Sequence, residues 1–236
     1  MQASAGSRAR RQGGERRKKT RDLILEAART LFNEQGTANV TLAHIGEHLG
    51  ISEGNVWYHF HTKHDLIVAL FAELQASVQA NQQMDLDELG AASNLRGLLV
   101  RGFQLMWEYR FLFRDHINWA TAQHEVYEQL VTLTTQGHDF IERVLERMRQ
   151  LELLQIQPQQ IPILATNIWI INRYWIDYCQ SRNIHHQITE QEIQAGIEQV
   201  RALILPYFTP AAYHLLADPP PTPNDTPTGN SMPRYF

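Results

Sequence analysis

Between Thr41 and Lys63 the chain reads TLAHIGEHLGISEGNVWYHFHTK, and its polar residues are of types that contact nucleic acid. The Thr41 and Tyr58 hydroxyls and the Lys63 ammonium can hold phosphate oxygens, contacts that position a protein without reading sequence. The Asn55 carboxamide can pair with adenine through two hydrogen bonds. Glu53 repels phosphate but can accept from a cytosine amino group; a carboxylate is equally at home at a helix N-terminus, where the dipole favours it. Gly54 would let the backbone approach a duplex, although a flexible helix start accounts for it as well. Ser52 and His59 complete the candidate set. Ahead of this segment, residues 1–21 carry eight bases against the single acid Glu15, a net of +7 that leaves −11 for the rest of the −4 total. An acidic chain with one cationic end is suited to meet a polyanion at that end, and Arg16, Arg17, Lys18 and Lys19 would track the backbone or enter the minor groove. A solvated tail with no partner is the alternative.

Other chemistries find little support. His59, His61 and His64 straddle a helix end, and His44 and His48 lie four apart without the glutamate of a zinc protease motif, so no metal site is expected. No nucleophile elbow, phosphate loop or dinucleotide glycine motif occurs; no catalytic residue, enzyme activity or cofactor is expected. The lone Cys179 cannot build a disulfide framework, no apolar run reaches about 18 residues, and no apolar stretch follows the basic N-terminus. Those features lead to the expectation of a cytoplasmic protein without membrane contact, found on the nucleoid when DNA-bound.

Helices must position these groups. Ile24, Ala27, Ala28 and Leu31 recur at helical spacing up to Gly36. Thr41 can cap a second helix with Leu42, Ile45 and Leu49 inward, ending at Gly50. Ser52 can cap a short third helix through about Phe60, and Thr62 with Asp65 forms a capping-box pattern that opens a fourth. A three-helix unit of about 45 residues buries too little to stand alone, so it should lean on that fourth helix. Helical patterns dominate to about Leu216 with no alternating strand pattern, and residues 217–236 hold six of the ten prolines. The expected fold is all-α: a basic arm over 1–19, disordered in isolation, a helix-turn-helix unit over 20–66, a larger helical domain over 67–216 and a disordered tail.

The stretches TRDLILEAARTLFNEQG, VTLAHIGEHLGIS and GNVWYHFHTKHDL, running from Thr20 to Leu66, resemble the TetR family of bacterial regulators. The resemblance implies an all-α homodimer on a palindromic operator in double-stranded DNA, a recognition helix at residues 53–59 and a C-terminal domain that binds a small-molecule effector. It further implies phosphate contact at Thr41, base or backbone contact at Asn55 and Tyr58, backbone contact at His59 and Lys63, and a packing role for Trp57. Glu53 and His61 depart from the usual residues.

Two features of the C-terminal part fit those roles. Residues 107–119, WEYRFLFRDHINW, gather five aromatics around Arg110 and Arg114; Trp107, Phe111 and Trp119, with Trp169 and Tyr174, would line an effector site with an arginine for an acidic head. Core packing explains aromatics at helical spacing equally well. A helix over 163–178 is apolar nearly all round, and Ile193, Ile197, Val200 and Ile204 give the next a single stripe. Ile168 and Trp175 with that stripe would form a four-helix dimer interface. The reading that results is a dimeric repressor released by a small, largely apolar effector. The alternative is an effector-independent or nucleoid-associated protein of the same fold, acting through a protein partner; a fully packed C-terminal domain would favour it.

Overall fold

The computed structural model describes residues 3–90, 92–114, 119, 124–182, 190–210 and 212. Its helices are α1 (Ala3–Gln35), α2 (Leu42–Leu49), α3 (Glu53–His59), α4 (Lys63–Gln82), α5 (Ala92–Glu108), α6 (Arg110–Arg114), α7 (His124–Gln150), α8 (Ile161–Arg182) and α9 (Glu190–Ile204). Among the described residues there is no strand, and no helix is long and apolar enough to cross a membrane.

The N-terminal turns follow from local chemistry. The Thr41 and Ser52 hydroxyls accept from the amides of His44 and Asn55, satisfying N–H groups that helix starts leave open. Thr62 and Asp65 close a reciprocal capping box at the start of α4. Gly50 ends α2 at φ 66°, which a side chain would strain. A Cβ on Gly46 would come 2.9 Å from the Ile51 carbonyl oxygen and 3.3 Å from the Glu53 amide nitrogen, so α2 meets the turn through bare backbone. Gly46→Ala should therefore lose about 1–3 kcal/mol of stability. Gly54→Ala meets only the Ser52 hydroxyl oxygen, at an ordinary 4.0 Å, and should be neutral or gain up to about 1 kcal/mol. Urea melts of the two variants would check the contrast, and equal midpoints would contradict it.

Residues 1–19 differ from expectation. The basic stretch is not left outside regular structure: α1 runs back from Thr20 to Ala3. Arg, Lys, Gln and Ala are good helix formers, and extending a formed helix adds a hydrogen bond per residue with no second nucleation. The side chains of residues 1–18, and the tail beyond residue 212, lie outside the described residues.

Two cores organise the chain. The first joins Ile24, Ala28 and Phe32 of α1, Ile45 of α2 and Val56 of α3 to Leu66, Leu70 and Leu74 of α4. It continues without a break into Phe111, Leu112 and Phe113 of α6 and Val126 and Leu130 of α7. The second joins α5, α7, α8 and α9 around Phe103, Val144, Met148, Ile168 and Val200. The N-terminal unit leans on α4 as its small size requires, and on α6 as well.

This second core corrects the expected interface. Ile168, Ile197, Val200 and Ile204 are buried inside the protomer, and Ile193 and Trp175 pack against the same cluster. The Trp175 indole N–H donates to the Glu192 carbonyl across α8 and α9. A single apolar stripe must be covered, but its pattern does not say by which surface; here α5 supplies Phe103 and takes the place given to a symmetry mate. What α8 leaves uncovered is its opposite face, with Ile163, Ile170, Tyr174 and Tyr178 exposed at spacings of seven, four and four.

Candidate nucleic-acid interface and effector cavity

Helix α3 is anchored by one buried residue, Val56, with His59 half-buried and the rest exposed. Glu53, Gly54, Asn55 and Tyr58 are exposed together. Thr41 and Ser52 spend their hydroxyl lone pairs on capping but stand exposed at the starts of α2 and α3, where backbone amides also point outward. His59 is half-buried and meets the Tyr58 ring edge-on at 5.3 Å. Lys19 is exposed on α1; the side chains of Arg16, Arg17 and Lys18 are outside the described residues.

Two residues stand differently from what the family pattern implies. Lys63 turns its ammonium onto the Thr37 carbonyl at 2.6 Å and that of Ala38 at 3.5 Å, tying the start of α4 to the turn after α1. It acts first as a brace between helices, and two carbonyls take up donors assigned to phosphate. Trp57 is no packing residue: it is 57% exposed beside Tyr58, its indole 4.5 Å from the His61 imidazole. The family resemblance implied a packing role for it, and the phase of the seven-residue helix turns it outward instead.

The segment 107–119 belongs to the first core and fastens α5 and α6 to α1. The Asn33 amide, buried in α1, donates to the Glu108 carbonyl at 2.7 Å and accepts from the Phe111 amide at 3.1 Å. These groups are left open where α5 breaks into α6 at Tyr109. Arg114 donates to the Phe32 and Asn33 carbonyls at 3.0 and 3.3 Å, capping the end of α1. Phe111 packs 5.4 Å from Phe32. Trp119 is buried and donates to the Leu112 carbonyl. Arg110 lies 3.6 Å over the Trp107 ring and donates to that residue's carbonyl. Burial, then the nearby Arg114 charge, push the Arg110 guanidinium down to about 10. Tyr174 is exposed on α8 with Arg173 over its ring.

Of the seven residues proposed for an effector site, Trp169 alone lines the apolar cavity enclosed by the C-terminal helices. That cavity, about 120 Å³, lies between α4, α5, α7 and α8. Its walls are mostly leucine, isoleucine, valine, phenylalanine and methionine, with Asn81, Gln82 and Asn172 as polar side chains and, among the described residues, no charged one. Trp169 fits because α7 offers Gly137, where a Cβ would come 2.6 Å from the indole ring. The sequence signal for this wall was the repeated aliphatic lining of four helices, which is indistinguishable from ordinary core until the helices are placed. Among the described residues no group of three or more His, Cys, Asp or Glu could hold a metal ion.

Comparisons with known proteins agree with this layout. A family model described as bacterial regulatory proteins, tetR family, matches residues 24–70, and one described as a bacterial transcriptional repressor matches residues 71–216. The probable HTH-type transcriptional regulator ArpR of Pseudomonas putida is 35% identical over 91 residues, 38% of this chain and 43% of that protein. The HTH-type transcriptional regulator TtgR, also of Pseudomonas putida, is 34% identical over the same shares. The chain thus spans less than half the length of these curated relatives. The solved structure of a TetR-family regulator from Marinobacter aquaeolei VT8 superposes with a TM-score of 0.73 at 29% identity, over 84% of this chain and 95% of that one. A SmeT–triclosan complex, SmeT being a repressor from Stenotrophomonas maltophilia, matches with a TM-score of 0.60 at 21% identity, over 87% and 99%, and shows the shared fold alone.

Proposed function

Because the chain belongs to the TetR family of bacterial transcriptional regulators, it is a DNA-binding regulator rather than an enzyme, and we propose that it works as a homodimeric repressor. In this reading it holds a palindromic operator and lets go when a small, largely apolar molecule fills the cavity. One observation carries it: α4 belongs to both sites. Its first half, Leu66 to Leu74, sits in the core of the helix-turn-helix unit, while Val78, Asn81 and Gln82 near its other end line the cavity. A helix of 20 residues is about 30 Å long and stiff, so an occupant that displaces one end re-aims the other. The presence of a cavity also favours this reading over effector-independent binding.

The dimer reading rests on the uncovered face of α8. Within each half-site, α3 would enter the major groove, with Asn55 reading a base and Tyr58, Trp57 and the exposed starts of α2 and α3 holding phosphates. Glu53 would face a cytosine. Arg16, Arg17, Lys18 and Lys19 would add a cationic footprint along the backbone, and Lys63 would brace α4 and approach phosphate only secondarily.

Titration of operator and scrambled duplex at several salt concentrations separates these roles. Asn55→Ala should lose about 1–3 kcal/mol on the operator and little on scrambled DNA. Replacing Arg16, Arg17, Lys18 and Lys19 by glutamine should flatten log affinity against log salt by about 0.9 for each phosphate no longer neutralised, on both duplexes alike. Equal losses on the two duplexes for Asn55→Ala would remove it from the base-reading set. An unchanged slope for the glutamine variant would remove the arm.

A further inference from the structure

The cavity contains one polar atom with nothing to bond. The Asn172 side-chain oxygen is fully shielded from solvent, yet accepts no hydrogen bond from any described residue. Its amide nitrogen donates to the Ile168 carbonyl one turn earlier, at 3.4 Å. A carbonyl can only accept, so that bond fixes the orientation of the carboxamide: NH2 toward its own helix, oxygen toward α5 and the cavity. Opposite stands Gly102, where even a Cβ would remain 3.7 Å from this oxygen. The other two polar lining side chains each have a hydrogen-bond partner. The Asn81 oxygen accepts from Arg101 at 2.8 Å, and the Gln82 amide donates to the Gln136 carbonyl at 3.4 Å.

A buried acceptor without a donor is costly, and a molecule that supplies the donor recovers the loss. We infer that the cavity takes a neutral, largely apolar molecule carrying one hydrogen-bond donor, such as an alkylated phenol, anchored through that donor to the Asn172 oxygen. The inference rests on the effector reading above and gives it a chemical class. Ionic ligands fit poorly. Among the described residues no arginine, lysine or histidine lines the space to neutralise an anion, whose oxygens would face the Asn172 oxygen, and no carboxylate lines it to receive a cation. At about 120 Å³ the space is comparable to the apolar cavity of ~150 Å³ that holds one benzene, room for one small ring.

Calorimetric titration of the full chain with four probes tests the assignment: para-ethylphenol, para-ethylanisole, which keeps the oxygen and lacks the donor, para-ethylbenzoate and para-ethyltoluene. The phenol should bind about tenfold more tightly than the ether, with benzoate weaker than both. Asn172→Leu should abolish the preference of phenol over ether. Gly102→Ala, which sets a methyl group against the same oxygen, should reduce it and serves if the leucine variant fails to fold. Equal affinity of phenol and ether for the unaltered protein would overturn the donor assignment while leaving the cavity as an apolar effector site. Tighter binding of benzoate would overturn it as well. Failure of the phenol, the ether and the wholly apolar para-ethyltoluene alike would sink the effector reading itself.

Discussion

Replacing Asn33 by leucine should destabilise the protein by about 2–5 kcal/mol and weaken the junction of α1 with the break between α5 and α6. Two backbone groups are then left without partners, the Glu108 carbonyl and the Phe111 amide, at roughly 1–3 kcal/mol each. Both lie where α5 breaks into α6, so no helix neighbour can take over. Arg29 beside Tyr109 and Glu108, and Arg114 on the end of α1, would still hold the junction, so the fold should survive. Operator affinity at low temperature should then change little, while the effector concentration that releases DNA should shift, since α6 no longer moves rigidly with α1. Thermal melts and operator-release titrations on the same preparation would check both halves. A melt within about 0.5 kcal/mol of the unaltered protein would refute the junction as described.

The second large effect is expected at the outer face of α8. Ile170→Asp sets a carboxylate in the middle of the stripe from Ile163, 64% exposed, to Tyr178. Since that residue is already at the surface of the protomer, the fold should be unharmed. In a two-fold dimer the substitution enters twice and buries two unpaired charges, each costing several kcal/mol, which is enough to leave monomers at micromolar concentration. Light scattering should report half the mass, and affinity for a full palindrome should fall about a hundredfold or more, toward that for a half-site. Ile197→Asp should behave differently, because Ile197 is inside the protomer and its change should unfold the C-terminal core. A stable dimer of Ile170→Asp would place the interface on another face.

What the sequence determined by itself is what depends on neighbours along the chain. The caps at Thr41, Ser52 and Thr62, the glycine-terminated turn at Gly50 and the outward display of Asn55 and Tyr58 arise from contacts within a few residues, and all were legible in order and spacing. The helical fold and the family were legible for the same reason. The tertiary structure alone decided which surface covers each apolar face. The stripe Ile193, Ile197, Val200 and Ile204 carries the same pattern whether it meets a second subunit or α5, because hydrophobic burial is non-directional and periodicity records a face without its partner. Aromatics at 107–119 likewise read as a ligand wall until Asn33 and Phe32 of α1, some 75 residues away, are brought against them. The Asn172 oxygen became a candidate anchor only when four helices closed around it, since a missing hydrogen bond is a property of three-dimensional surroundings and leaves no mark in the order of residues.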